Sequence, residues 1–193
     1  MYQDYFLEQD KMLVVDKAFP LYNGEKPGLP LDYNYNEKYY EFIPFQPVAA
    51  SSEMVGTSVE ELLMHNFPTK RCWECSRLCA FPQEVVFRLN YRSHIKYCLL
   101  RAKINRPIEE VYVYIGDGIT GGFNDCQYIK YGTAKNVTEN GMTIKLDGIG
   151  NYIKLYFPRA STKTNENPFG QVSISQIKIF GKKINHLLVN NYI

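Results

Sequence analysis

A β-sandwich of the jelly-roll kind is the fold these 193 residues predict, and three observations predict it. Runs rich in β-branched and aromatic residues recur at 85–90, 94–103, 110–115, 127–133, 142–146, 151–157 and 171–180. Such residues suit the pleated, half-buried surface of a strand. Between the runs stand Asp117-Gly118, Gly121-Gly122, Asn140-Gly141, Asp147-Gly148 and Gly150-Asn151, dipeptides that tolerate positive φ and close hairpins or loops. Alternation with period 2 is the third sign: Tyr152, Lys154 and Tyr156 oppose Ile153, Leu155 and Phe157. Short strands separated by frequent turns read as a sandwich.

In chain order, residues 1–41 differ in kind from the rest. Tyr2, Tyr5, Phe6, Phe19, Tyr22, Tyr33, Tyr35, Tyr39 and Tyr40 are interleaved with Pro20, Pro27 and Pro30, and no regular period survives. Proline fixes φ and biases its predecessor to extended conformations, so this segment reads as an arm, with a short helix at 7–17 as one option. Its aromatic content is unlike ordinary disorder and calls for a surface to lie on, either its own domain or a partner. Residues 58–64 carry a helical pattern, with Ser58 as cap and Glu61 completing a capping box. The stretch from Trp73 to Arg88 joins the lone tryptophan to a Phe-Pro-Gln-Glu turn and then to Val85-Val86-Phe87. Pro82 lacks an N–H, so it marks the strand's entrance, and Trp73 and Phe81 are expected in the core. The last strand slips phase at Ser175-Gln176, which predicts a bulge. The expected organisation is an arm at 1–41, a sandwich at 42–182 and a tail at 183–193.

Composition removes several function classes. A net charge of +2 and a pI near 8.2 do not fit a nonspecific nucleic-acid binder, which carries a dense basic patch. The sequence has no apolar window long enough for a membrane helix, and its opening is neither a secretory signal nor a transit peptide. The expected compartment is cytoplasmic, with reduced cysteines.

Cys72, Cys75 and Cys79 form a C-x2-C-x3-C cluster, with His65, His94, Cys98 or Cys126 as the available fourth ligands for zinc. Three clustered ligands fall short of a tetrahedral site, so structural cysteines and no metal are expected. The loop at 116–125 offers Asp117, Asp125 and four glycines, yet it matches neither the calcium loop nor the phosphate loop. A flexible connection is the better reading, with Asp117 and Asp125 as the residues to watch. Arg88, Arg92, His94, Lys96, Arg101, Lys103 and Arg106 place positive charge across two neighbouring strands, while acids gather in the first 61 residues. Such a run guards a solvated sheet face or steers association with an acidic surface. Tyr91, Tyr97, Tyr112 and Tyr114 read as core or cross-strand partners. No catalytic residue and no cofactor is expected.

The residues Phe45, Ser51, Gly56, Ser58, Glu61, Leu62 and His65, followed by Trp73, Arg77, Cys79, Phe81, Pro82, Gln83, Glu84 and Val85, carry a resemblance. This pattern, with the Gln171-Val172 start and the Ile179-Phe180-Gly181 end of the last strand, resembles the N-terminal jelly-roll domain of the 104-kDa centrosomal and ciliary-tip protein family. The tryptophan and Phe-Pro-Gln turn are similar, more loosely, to discoidin-like and other galactose-binding-like domains. The resemblance covers about 42–182 and leaves the arm unmatched. It implies a non-enzymatic protein of the cytoskeleton and cilium. The large relatives continue into coiled coil, a tubulin-binding array and zinc fingers, whereas this sequence stops at Ile193 without heptads, so the expectation is a stand-alone axonemal version. Its expected partners are tubulin and other axonemal proteins, with no nucleic acid and no membrane. Expected partner-binding residues are Tyr2, Tyr5, Phe6, Tyr33, Tyr35, Tyr39, Tyr40, Arg88, Arg92 and Lys96. The rival classes are a carbohydrate- or peptide-recognition module and an adaptor in intraflagellar transport.

Overall fold

The computed structural model describes residues 40–63, 72–118 and 122–184. In order these form β1 (Glu41–Phe42), β2 (Phe45–Ala50), a 3-10 helix (Val59–Leu63), β3 (Trp73–Glu74) and β4 (Gln83–Ala102), then β5 (Ile108–Gly116), β6 (Tyr128–Val137), β7 (Met142–Phe157) and β8 (Ser173–Lys183). All pairings are antiparallel. The fold is an all-β jelly roll, as the strand pattern predicts.

Two long strands organise it. β4 and β7 pair from Gln83 with Phe157 to Arg88 with Tyr152, break register, and resume from Ser93 with Gly150 to Leu100 with Met142. Before the break β4 also carries β2, and β7 also carries β5. After it β4 carries β8, on which β1 and β3 lie. Each long strand therefore serves two sheets, one ordered β2-β4-β7-β5-β6 and the other β7-β4-β8 with its two short edge strands. Gly150 sits at the bend of β7, where a Cβ would lie 2.4 Å from the carbonyl oxygen of Gly116. Only glycine allows that approach of two backbones.

Sequence analysis divides these strands into four, at 85–90, 94–103, 142–146 and 151–157. The turn-like residues at the division, Tyr91-Arg92-Ser93 and Asp147-Gly148, are bends within continuous strands. β2, which contains Pro47, is not among the expected strands. It is paired on one side to β4, with a register shift next to Pro47, and an edge position tolerates the missing N–H. At the start of β4, Pro82 is exposed and follows a cis peptide bond, Trp73 is fully buried, and Phe81 is half-buried against the core. The helical stretch proves to be 3-10, with the Ser58 hydroxyl accepting the Glu60 N–H at 3.1 Å.

Phase along β4 decides what faces inward. Val85, Phe87, Leu89 and Ile95 enter the core, a bulge falls between Ile95 and Tyr97, and Cys98, Leu100 and Ala102 then take the inward positions. Because the side-chain period is 2, that one-residue slip turns Tyr97, Leu99 and Arg101 to the outer side. The predicted bulge of the last strand is present, with Arg101 paired to Gln176 and Ala102 to Ile174.

Candidate docking surfaces

The outer side of the first sheet is a tyrosine and lysine surface. Tyr112 and Tyr156 sit on paired positions of β5 and β7 and stack with ring centroids 5.9 Å apart, and Tyr114 meets Tyr156 edge-on at 6.1 Å. Lys130 lies 3.7 Å over the Tyr112 ring. Lys154 lies 4.6 Å over Tyr128 and 3.5 Å from the Glu84 carboxylate. Cations over ring faces are held by the aromatic quadrupole and leave their ammonium groups at the surface. Beside them a hollow of about 280 Å³ is lined by Ser51, Glu84, Phe123, Asn124, Tyr128 and Lys154, among others. Burial pushes the Tyr128 phenol up, and its hydroxyl donates to the Phe123 carbonyl at 2.9 Å. The alternation of Tyr152, Lys154 and Tyr156 signalled this face, but nothing in the local sequence announces that Phe123, Asn124 and Tyr128 join it.

The outer side of the second sheet differs. Register puts Thr143, Leu99 and Lys178 in one row and Lys145, Tyr97 and Phe180 in the next. Lys96 and His94 both meet Asp147, at 2.6 and 2.7 Å. Lys182 lies 5.5 Å over the ring of Tyr40.

The basic run from Arg88 to Arg106 is not one patch, which corrects the expectation of a shared face. Arg88 is exposed on the first sheet, whereas Lys96 is on the second. Arg92 makes a bidentate pair with Asp117, its Nε donating at 2.9 and 3.1 Å. Lys103 and Arg106 both bind Glu74, whose side chain is fully buried, so both cations are held by an internal carboxylate. Of the expected arm contacts, Tyr40 is described: it is buried with its ring centroid 5.5 Å from that of Tyr97. Tyr2, Tyr5, Phe6, Tyr33, Tyr35 and Tyr39 lie outside the described residues, as does His65.

Cys72 and Cys75 are buried and Cys79 is half-buried. Burial pushes the Cys75 thiol up to about 12, even though its sulfur accepts the Val172 N–H at 3.2 Å. Zinc takes thiolate, so this setting suits a small hydrophobe better than a ligand. Among the described residues no group of three or more His, Cys, Asp and Glu is placed to hold a metal ion. At the 116–125 loop, Asp117 is engaged by Arg92, and Gly118 exchanges two hydrogen bonds with the Asn151 amide, at 2.9 and 2.8 Å.

Residues 72–181, the span from the buried tryptophan strand to the glycine of β8, match the family described as "Centrosomal protein CEP104, N-terminal domain". The chain belongs to that family. It is 28% identical over 153 residues to the centrosomal protein of 104 kDa of Rattus norvegicus and 27% identical over 150 residues to that of Homo sapiens. Each match takes in 72% of this chain and 16% of the relative, so the chain spans about a sixth of the length of those proteins. Among solved structures, a putative chitobiase fragment from Bacteroides thetaiotaomicron superposes with a TM-score of 0.62 at 13% identity, over 80% of this chain and 99% of that one. The family 32 carbohydrate-binding module (CBM) of Clostridium perfringens NanJ, solved in complex with galactose, gives 0.55 at 15% identity, over 72% and 97%. These likenesses establish the shared jelly roll.

The CEP104-family segment begins at β3 and leaves β1 and β2 outside it, yet both are paired into the sheets, on β8 and β4. The CEP104-type jelly roll of this chain therefore incorporates residues from 41 onward, and Tyr40 enters it on the outer side of the second sheet. Among the described residues no helix is long and apolar enough to cross a membrane.

Proposed function

We propose that this chain is a non-enzymatic structural protein of ciliary microtubules, whose jelly roll docks on tubulin or on neighbouring axonemal proteins. Membership in the family of a centrosomal protein carries this reading. Two lysine-bearing outer faces support it, since an acidic lattice is recognised by cations held at defined positions on a rigid sheet. Arg88 and Lys96, on different sheets, contribute to different faces; Arg92 is tied to Asp117 and positions the loop. The arm adds tyrosine contacts as an anchor.

Imaging the tagged full chain in a ciliated cell, with cosedimentation of the purified chain on microtubules, tests the proposal. Signal along the axoneme and salt-sensitive cosedimentation are expected. Absence of both, together with binding on a glycan array, would replace it with a carbohydrate-recognition role, for which the galactose-bound neighbour of like fold is the precedent. Signal that moves with transport trains would favour the adaptor.

A further inference from the structure

On the outer side of the second sheet the side chains turned away from the core are nevertheless buried: Leu99 is 2% exposed, Phe180 4%, Tyr97 5% and Arg101 6%. Leu99 and Tyr97 stand outside the apolar cluster that Cys98 and Leu100 join, so their burial is not that of the sandwich interior. The described contacts on this face include Tyr40 against Tyr97, Phe42 against Phe180 with ring centroids 6.2 Å apart, the Glu139 carbonyl, which accepts from Arg101 at 3.2 Å, and Gly141, where a Cβ would lie 2.8 Å from the Arg101 side chain and 3.4 Å from that of Leu99. Burial pulls the Arg101 guanidinium below its ordinary value. A leucine and a guanidinium so withdrawn from water need a covering segment.

We propose that the covering segment is this chain's own residues 1–39, folded back along the rows of β7, β4 and β8. The first described residue, Tyr40, is already seated on this face, so the 39 residues before it start there. Charge agrees: Lys96, Arg101, Lys145, Lys178 and Lys182 stand on this side with Asp147 as the carboxylate among them. Residues 1–39 carry seven carboxylates against four lysines, so the segment is acidic where the face is basic. Its eight aromatic side chains match rows that present Tyr97, Leu99 and Phe180. Pro20, Pro27 and Pro30 favour extended backbone, and about ten extended residues suffice for roughly 33 Å, enough to cross a sheet of this size. This goes beyond the microtubule reading and stands without it. If that reading also holds, an acidic lattice and the arm compete for one face.

The test is carboxylate-to-amine zero-length crosslinking of the full chain, using an equal mixture of isotopically light and heavy protein. Links from Asp or Glu within residues 1–39 to Lys145 or Lys178, in peptides of matched isotope, are expected. Links only between light and heavy chains would overturn the proposal in favour of a second copy as occupant. Links of the Ile193 carboxylate in place of arm carboxylates would overturn it in favour of residues 185–193. A second measurement uses the variant Lys145→Glu/Lys178→Glu, whose changes lie on the outer side and spare the core. Chymotryptic cleavage at the arm tyrosines should accelerate roughly three- to tenfold in that variant, the scale of two lost surface pairs. An unchanged cleavage rate in a variant with an unaltered melt would overturn the proposal, since the arm would then owe nothing to those lysines.

Discussion

Glu74 and Asp147 each hold two basic side chains, and they do opposite things. Glu74 of β3 is fully buried and binds Lys103 at 3.0 Å together with Arg106. Asp147 of β7 has a side chain 64% exposed and binds Lys96 at 2.6 Å and His94 at 2.7 Å. Around Glu74 the backbone is locked as well: its N–H donates to Thr57 and its carbonyl accepts from Met54. The Glu74 cluster thus ties β3, the β4–β5 turn and the 51–57 segment into one unit, with its charge withdrawn from any partner. The Asp147 cluster joins two neighbouring strands on the outside and leaves its charge in reach of solvent and partners. Burial, rather than the count of ion pairs, separates structural charge from charge available for docking.

The largest effect is expected beside Glu74. Trp73→Ala removes a fully buried ring that stacks 5.7 Å from Phe157 and donates its N–H to the Ser52 carbonyl at 3.2 Å. A loss of about 3–5 kcal/mol by urea denaturation is the expected result. A melt unchanged from wild type would show that the β3 region is peripheral, and the contrast with Asp147 would collapse.

Next comes Glu74→Ala. Removing the carboxylate strands two cations at its rim and is expected to cost about 3 kcal/mol, toward the lower end for a buried pair because Lys103 and Arg106 are 30% and 18% exposed and reach water in part. Equal destabilisation by Glu74→Ala and by Asp147→Asn in the same titration would break the comparison. Gly150→Ala follows, expected to cost about 1–3 kcal/mol because its new methyl meets the Gly116 carbonyl at 2.4 Å and Ile115 at 2.6 Å. That variant sharpens the picture of a strand bent between two sheets: a neutral result would mean the bend yields without cost.

The strands were legible from local chemistry because alternation and turn dipeptides act over a few residues. Their continuity was not. Residues 91–93 and 147–150 look like turns since they are polar or glycine-bearing, and only the packing of two sheets around them makes each a bend inside one strand. The fate of the basic run was equally hidden: Lys103 finds its carboxylate 29 residues earlier in the chain, at Glu74, and no periodicity encodes that meeting. Tyr97 read correctly as a cross-strand residue, but the bulge after Ile95 that aims it outward with Leu99 depends on the partners β7 and β8. For the same reason the tyrosine and lysine face was half visible, in β7, and half supplied by the loop before β6.

The smallest effect belongs to Asp147, and its pH dependence tells most about which side of the comparison it falls on. Hydrogen bonding from Lys96, and then from His94, holds the Asp147 carboxyl below the usual carboxylate range. A depressed folded-state pKa contributes stability that is present above the unfolded value of about 3.9 and is lost as pH falls through the folded value. With the side chain 64% exposed, water screens the pair, and the contribution is at most about 1 kcal/mol. Asp147→Asn is therefore expected to lower the urea midpoint slightly at pH 7, with wild type and variant converging as pH falls through the folded value and the Asp147 carboxyl becomes neutral. Added salt should shrink the neutral-pH difference, as for any exposed pair. A difference that stays undiminished as acid is added, and in high salt, would mean that Asp147 acts through packing, and that the second sheet's outer face is organised like the interior around Glu74.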